Sequence, residues 1–325
     1  MTERRDGSSE SVSFERVTRR TSSRTVPGAA TATATGSSMI PVLAVLGVAV
    51  LFGTTGTALA KAPVGTDSLA AGAVRLLVGG AALCLIAGRR LSMWREHRAA
   101  LAVGAFGVAV YQLGFFDATQ RTGVAMATVI TIAVSPLASR AIGAVRRRPA
   151  PAPLWYLAAV MIGIGLVLLV GSGSDRLETD TAGIVAAILA GASYALYTEA
   201  GSAAIGAGAD STSTMALLFF GGGLLASPLL FVRDLGWLAE GRGVLVMAWL
   251  ALVTLTIAYV AFGWGLRTLA PTTVVMLTLL EPAVAAVLAV TFLDERLSGV
   301  GWIGAALVLA AMPLVALSAR TTVRS

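Results

Sequence analysis

Long apolar segments, each about the length of a membrane-spanning helix, follow one another along most of this chain and are separated by short polar breaks. A bilayer core about 30 Å thick requires about 20 consecutive apolar residues in an α-helix. Of the 325 residues, 56% are hydrophobic and 13% are charged, against about 25% charged residues in ordinary soluble domains. The pattern predicts an all-α polytopic membrane protein.

Charged residues, glycine, proline and short polar clusters mark the ends of the apolar segments. They predict ten transmembrane helices, near residues 39–60, 68–88, 99–118, 122–145, 154–172, 181–200, 213–232, 244–266, 270–293 and 299–318. The connections are short and leave no room for a soluble catalytic domain. We therefore expect any function to lie within or across the bilayer.

The two ends of the chain and its basic residues predict an orientation. Residues 1–38 are polar and rich in Arg, Ser and Thr, which indicates a disordered basic cytoplasmic tail. The first apolar run lacks an A-x-A-like cleavage site and is predicted to be a retained span. With the N-terminus inside, most basic residues face the cytoplasm, although the loop from Ser202 to Ser211 contains none. Residues 319–325 then form a short cytoplasmic C-terminal tail.

An internal repeat is indicated by two pairs of similar segments. Arg121 to Pro136, "RTGVAMATVITIAVSP", aligns without a gap with "RTLAPTTVVMLTLLEP", Arg267 to Pro282, and Leu51 to Ala62 aligns with Leu189 to Ala200. They suggest two five-helix units, at 39–172 and 181–318. Because five is odd, the second unit would cross the membrane in the opposite direction, as in transporters with inverted repeats. A chance match between Ala/Val/Leu-rich helices is the alternative.

The segment "LTLLEPAVAAVLAVTFLDERLSGVGWIGAALVLAA", Leu277 to Ala311, closely resembles the end of the EamA-type repeat in the drug/metabolite transporter superfamily. The matching features are the Glu281-Pro282 pair, the Asp294 to Leu297 turn, and the helix that opens with Trp302 and Gly304. Further matches are "FGTTG" from Phe52, Arg75, and Ala258 to Thr273. The resemblance covers about residues 39–318. The first half departs from the pattern, with "VRRRPAPAP" in place of the turn and Ser135 in place of the acid.

The resemblance implies two inverted EamA repeats of five helices each, in the bacterial cytoplasmic membrane. It also implies a secondary carrier that exports a small metabolite, such as an amino acid or related compound. The driving force is either the proton gradient or the substrate gradient alone. A non-transporting receptor or assembly subunit is the alternative, and an intramembrane enzyme is a weaker one, because the chain has one His and one Cys with which to build a catalytic set.

Glu281 is the candidate for proton coupling. A charged side chain in the middle of a transmembrane helix costs about 2.5–3.5 kcal/mol on insertion scales, and such residues commonly have a function. The alternative is a neutral or hydrogen-bonded Glu that ties helices together. Pro136 and Pro282 are predicted to bend their helices, since proline lacks an N–H donor.

Substrate-binding candidates are the other polar and aromatic residues within the spans. Arg75 can pair with an acid or an anionic substrate group, or can extend to the membrane interface. The aromatic and amide candidates are Tyr111, Gln112, Tyr194, Tyr259 and Trp264. Thr54 contributes a small polar patch beside Gly53 and Gly56, or close helix packing.

Several classes of partner and chemistry are not indicated. The net charge of +7 reflects topology signals rather than nucleic-acid binding. We predict no cofactor and no metal site, because Cys84 lies in an apolar span and His97 lies in a basic cytoplasmic loop, "WREHRAA". The predicted partners are the small-molecule substrate and the lipid bilayer. The sequence leaves open a homodimer.

Overall fold

A computed structural model describes residues 39–171, 180–293 and 296–322 of the chain, and the regular structure in these residues is entirely helical. The basic tail predicted over residues 1–38 lies outside the described residues, as do Asp294 and Glu295 of the predicted turn and the last three residues.

The helices are numbered here in chain order. They are α1 Ile40–Ala60, α2 Ser68–Ala87, α3 Trp94–Val145, α4 Pro153–Gly171, α5 Thr181–Gly206, α6 Ser211–Ala226, α7 Gly241–Ala248, α8 Ala258–Gly265, α9 Pro271–Thr278, α10 Glu281–Phe292 and α11 Gly299–Thr322. A π-helical segment, Trp249–Ile257, joins α7 to α8. Short 3₁₀ segments follow α2 and α6.

Among the described residues, eight helical segments are long and apolar enough to cross a membrane, and Pro153–Leu169 forms a shorter apolar helix. One of the eight, Ser68–Gly123, contains both α2 and the first part of α3. These helices confirm the prediction of an all-helical, multi-pass membrane protein.

The helix α3 contains a sharp junction at Gly123. Its φ of 79° and ψ of 156° are not helical, and this backbone region is accessible almost only to glycine. The junction lies next to the break that the sequence predicted between residues 118 and 122. At the start of α3 the prediction of a loop at "WREHRAA" is wrong, because Trp94 onward, including His97, is helical.

Three helices begin at an aspartate that caps the first turn. The side chains of Asp67, Asp180 and Asp210 accept hydrogen bonds from backbone N–H groups three residues ahead, at the starts of α2, α5 and α6. Such caps satisfy donors that have no partner within the helix. The predicted loop from Ser202 to Ser211 is correspondingly shorter in the structure, since α5 continues to Gly206 and α6 begins at Ser211.

The most extensive helix packing joins the first half of the chain to the second. The helix α3 packs on α5, α4 on α11, α2 on α6, and α1 on α10. Glycine permits the closest approaches: a Cβ added to Gly165 of α4 would lie 2.7 Å from the carbonyl oxygen of Gly304 in α11. Small residues at such contacts are typical of membrane helices.

Candidate functional site

The ninth apolar segment of the sequence is a broken helix, and Glu281 lies at the break. The helix α9 ends at Thr278 and α10 begins at Glu281. Between them, the N–H groups of Leu279 and Leu280 donate to carbonyls three residues back, at 3.3 Å. Pro282 follows in the first turn of α10, where its missing N–H is tolerated. Glu281 therefore stands in the first turn of α10, directly after a tightened turn of the helix.

The carboxylate of Glu281 is half-buried and has no hydrogen bond or ion pair with any residue in the described part of the chain. It does interact electrostatically with Arg75, Tyr111 and Tyr259. Because no hydrogen bond or ion pair with a described residue occupies it, this carboxylate can bind a proton or a substrate cation.

Aromatic side chains form a continuous cluster beside Glu281. Tyr111 contacts Tyr194 and Tyr197 at ring-centroid distances of 5.6 and 6.1 Å, and Tyr259 contacts Phe219 at 3.7 Å. Two hydroxyl contacts tie the cluster together. Tyr197 and Tyr259 share a hydrogen bond of 3.0 Å, and Tyr194 bonds to the Thr278 hydroxyl at 2.8 Å, just before the helix break. The predicted residues Tyr111, Tyr194 and Tyr259 thus lie together.

Arg75 projects from α2 toward the segment that joins α7 to α8. Its guanidinium donates to the carbonyl oxygens of Leu250, at 3.3 Å, and Thr254, at 3.0 Å. These bonds use two of its five N–H donors. Arg75 is therefore held within the bundle by backbone carbonyls, and its remaining donors are available to an anionic group.

Gln112 and Arg75 line the same small cavity, about 20 Å³ in volume, together with Thr55, Gly72 and Leu250. Gln112 is buried, and its side-chain N–H group has no hydrogen-bond partner among the described residues. Space of this size holds about one water molecule. The structure therefore brings predicted residues Arg75 and Gln112 together at a polar spot near the aromatic cluster.

The remaining predicted residues lie elsewhere. The Thr54 hydroxyl donates to the carbonyl of Leu51 and accepts a hydrogen bond of 3.0 Å from the Trp249 indole. Trp264 is half-buried, and the ring contacts of the described residues do not include it. Pro136 lies inside α3, which continues as a helix on both sides of it, unlike Pro282.

Glu199 in α5 is a buried acid that the sequence analysis did not single out. Its side chain is 1% exposed, forms an ion pair of 2.7 Å with Arg148, and accepts a hydrogen bond of 2.9 Å from Ser139. The available signal was the same as for Glu281, namely one acid within an apolar run. It was missed because the predicted span ended at residue 200, which placed Glu199 at its edge.

Metal ligation finds no support in this arrangement. Within residues 39–171, 180–293 and 296–322, no three His, Cys, Asp or Glu side chains are grouped closely enough to hold an ion.

The sequence profile of the EamA-like transporter family matches residues 39–171 and 181–317, one match in each half of the chain. The chain therefore belongs to the EamA-like transporter family, within the drug/metabolite transporter superfamily, and is a membrane transporter. The resemblance stated from the sequence is confirmed.

A Bacillus subtilis (strain 168) protein named uncharacterized transporter YwfM is 34% identical over 280 residues, which cover 86% of this chain and 94% of that protein. The fold is also that of a solved crystal structure that is 20% identical in sequence. That structure superposes with a TM-score of 0.74 over 86% of this chain and 98% of its own.

Proposed function

We propose that this protein is a secondary active transporter that exports a small metabolite, such as an amino acid or related compound, by alternating access and with proton coupling. It would lie in the cytoplasmic membrane with both termini in the cytoplasm. The observation that carries the proposal is the Glu281 carboxylate, which follows the tight turn between α9 and α10, lies beside the tyrosine cluster and has no ion pair among the described residues. Broken helices of this kind form substrate and ion sites in secondary transporters.

The topology we propose has ten crossings in two inverted five-helix repeats, 39–172 and 181–318. Two glycines that align in the repeat support it. A Cβ on Gly53 of α1 would lie 2.7 Å from Val284 in α10, and one on Gly191 of α5 would lie 2.5 Å from the Thr131 carbonyl in the second part of α3. Each glycine thus packs against the proline-containing helix of the other half.

The proposed substrate class follows from the charges around the tyrosine cluster. Arg75 offers a guanidinium that suits a carboxylate, and Glu281 offers a carboxylate that suits an ammonium group. The tyrosine rings of the cluster supply apolar surface together with hydroxyl groups. An amino acid carries both charges on one small body and fits this arrangement.

The proposed coupling uses Glu281 as the proton carrier. In one orientation of the two halves its carboxylate reaches water on one side of the membrane and takes up a proton. In the other orientation it reaches the opposite side and releases the proton. Arg75 cannot take this role, because a guanidinium group does not release its proton in proteins. Only the acid can therefore respond to the pH gradient.

The test is transport by the purified full chain in proteoliposomes, using a panel of radiolabelled amino acids. We expect at least one amino acid to show both exchange at equal pH and net flux driven by a pH gradient. Glu281→Gln should abolish the gradient-driven flux, because the amide cannot ionise. It should retain exchange with a raised KM, because the amide oxygen can still accept a hydrogen bond from the substrate ammonium group but lacks the charge. Glu240→Gln is the matched control, since Glu240 is exposed in the segment before α7.

Two results would contradict the proposal. Gradient-driven flux in Glu281→Gln equal to that of the wild type would exclude this residue as the proton carrier. No exchange of any amino acid by the wild-type protein, with correct insertion verified, would exclude the substrate class.

A further inference from the structure

A second cavity, about 170 Å³ in volume, lies where α3 ends and α4 and α9 begin. Its lining residues include two arginines, Arg140 and Arg148, together with Trp155 and Thr273. Pro149 and neighbouring small residues make much of the remaining wall apolar. None of these residues belongs to the Glu281 site. In the proposed topology this cavity lies at the cytoplasmic end of the bundle.

The two arginines leave the cavity with a net positive charge. Arg148 pairs with the buried Glu199 through one of its terminal nitrogens, at 2.7 Å, while 34% of its side chain is exposed. Its other N–H groups remain available. Arg140 contacts the Tyr156 hydroxyl at 3.4 Å, which leaves its positive charge without an acidic partner among the ion pairs of the described residues. The negative charge of Glu199 thus offsets one of the two positive charges of Arg140 and Arg148.

Trp155 supplies an independent sign of a ligand. The residue is 2% exposed, and its indole N–H has no hydrogen-bond acceptor in the part of the chain that the structure describes. A buried donor without an acceptor is unfavourable, and such groups are rare in folded proteins. Trp155 lines the same cavity as the two arginines, so a ligand oxygen that reached this donor from the cavity would satisfy it close to both guanidinium groups.

We propose that this cavity binds a small organic carboxylate with an apolar body. Among the described lining residues one positive charge lacks an acidic partner, which matches a monoanion. The carboxylate oxygens can accept from Arg140, the remaining donors of Arg148 and the Trp155 indole N–H. The proline and indole surfaces would cover the apolar body. The volume suits a molecule of about the size of benzoate rather than a two-chain lipid.

The probe is 4-fluorobenzoate, observed by fluorine NMR with the purified full chain in detergent, with protein-free micelles as the blank. We expect saturable binding to the wild type, and much weaker binding of the neutral 4-fluorobenzamide. Arg140→Gln and Trp155→Phe should each raise the Kd by about 10-fold or more, as expected for loss of a hydrogen bond to a charged group. Neither change breaks the Arg148–Glu199 pair.

Arg146→Gln is the control for general electrostatic attraction. Arg146 is exposed in the same segment and does not line the cavity, so the Kd should change less than twofold. Trp155→Phe should lower the melting temperature of the ligand-free protein, because a smaller ring replaces a fully buried indole. Arg140→Gln keeps this packing, so a weaker Kd at an unchanged melting temperature in that variant identifies a binding role.

Three outcomes would overturn the proposal. The first is no saturable binding by the wild type beyond the blank, and the second is an unchanged Kd in Trp155→Phe. The third is binding of dioctanoyl phosphatidylglycerol, sensitive to Arg140→Gln, that 4-fluorobenzoate does not displace, which would assign the cavity to a lipid headgroup. The measurement requires no transport, so its failure is distinguishable from failure of the exporter proposal.

Discussion

Gly165 gives a quantitative test of the contact between α4 and α11. In Gly165→Ala the new Cβ would lie 2.7 Å from the Gly304 carbonyl oxygen and 3.0 Å from the Val308 side chain. Ordinary contact begins at 3.4 Å, so the two helices must separate locally by about 0.7 Å, the difference between 3.4 and 2.7 Å. The nearest atom is a backbone carbonyl oxygen, which, unlike a side-chain atom, cannot move aside by a change of rotamer.

Overpacking of this kind typically costs about 1–3 kcal/mol. Alanine also favours the helix by about 0.5–1 kcal/mol over glycine, so the expected net change is from near zero to about 2.5 kcal/mol of destabilisation. Gly163→Ala removes this ambiguity. Gly163 lies in the same helix, and a Cβ there meets nothing within 4 Å, so that variant gains the helix preference without the clash.

The assay is thermal unfolding of the three purified proteins in one detergent. We expect Gly165→Ala to melt below Gly163→Ala, with a difference of about 1–3 kcal/mol that reports overpacking alone. At about 2–4 °C for each kcal/mol, the shift is measurable. Equal melting temperatures for the two variants would refute the close approach of α4 and α11.

Three further predictions concern single contacts. A double-mutant cycle of Tyr197→Phe and Tyr259→Phe should give a coupling of about 0.6 kcal/mol, and at most about 1.7, from thermal unfolding; zero coupling would contradict the hydroxyl contact. Asp210→Ala should destabilise by about 0.5–2 kcal/mol and Asp210→Asn by much less, because Asn also caps helices. Gly123→Ala should destabilise by about 1–3 kcal/mol, whereas Gly206→Ala, at an open helical position, should not; equal effects would argue against the Gly123 backbone conformation.

The membrane fold was largely predictable because the physical requirement is local. Each span needs a run of apolar residues long enough to cross the bilayer, and such runs are visible in the sequence one at a time. The caps at Asp67, Asp180 and Asp210 are local as well, since each aspartate accepts a hydrogen bond from an N–H group three residues ahead. The family resemblance added the expectation of two repeats.

The site was predictable only in part, because its contacts join residues that are far apart in the chain. The sequence identified Glu281 and the tyrosines as polar residues within apolar spans. It did not indicate the hydrogen-bond partners of Arg75, which are the backbone carbonyls of Leu250 and Thr254. The pairing of Glu199 with Arg148 is likewise long-range. Helix boundaries mattered as well, since a span ending six residues early moved Glu199 from the interior to the edge.

The packing of the two halves bears on how the chain is made. Each major helix contact of the first half is with a helix of the second half, so the first half leaves the ribosome with its interior faces still uncovered. The helix α1 is without its main partner for longest, since it ends at Ala60 and α10 begins only at Glu281. During that interval lipids or an insertion factor must cover these faces. A chain truncated before Gly299 would leave α4 without its main partner, α11, and should consequently be degraded rather than accumulate.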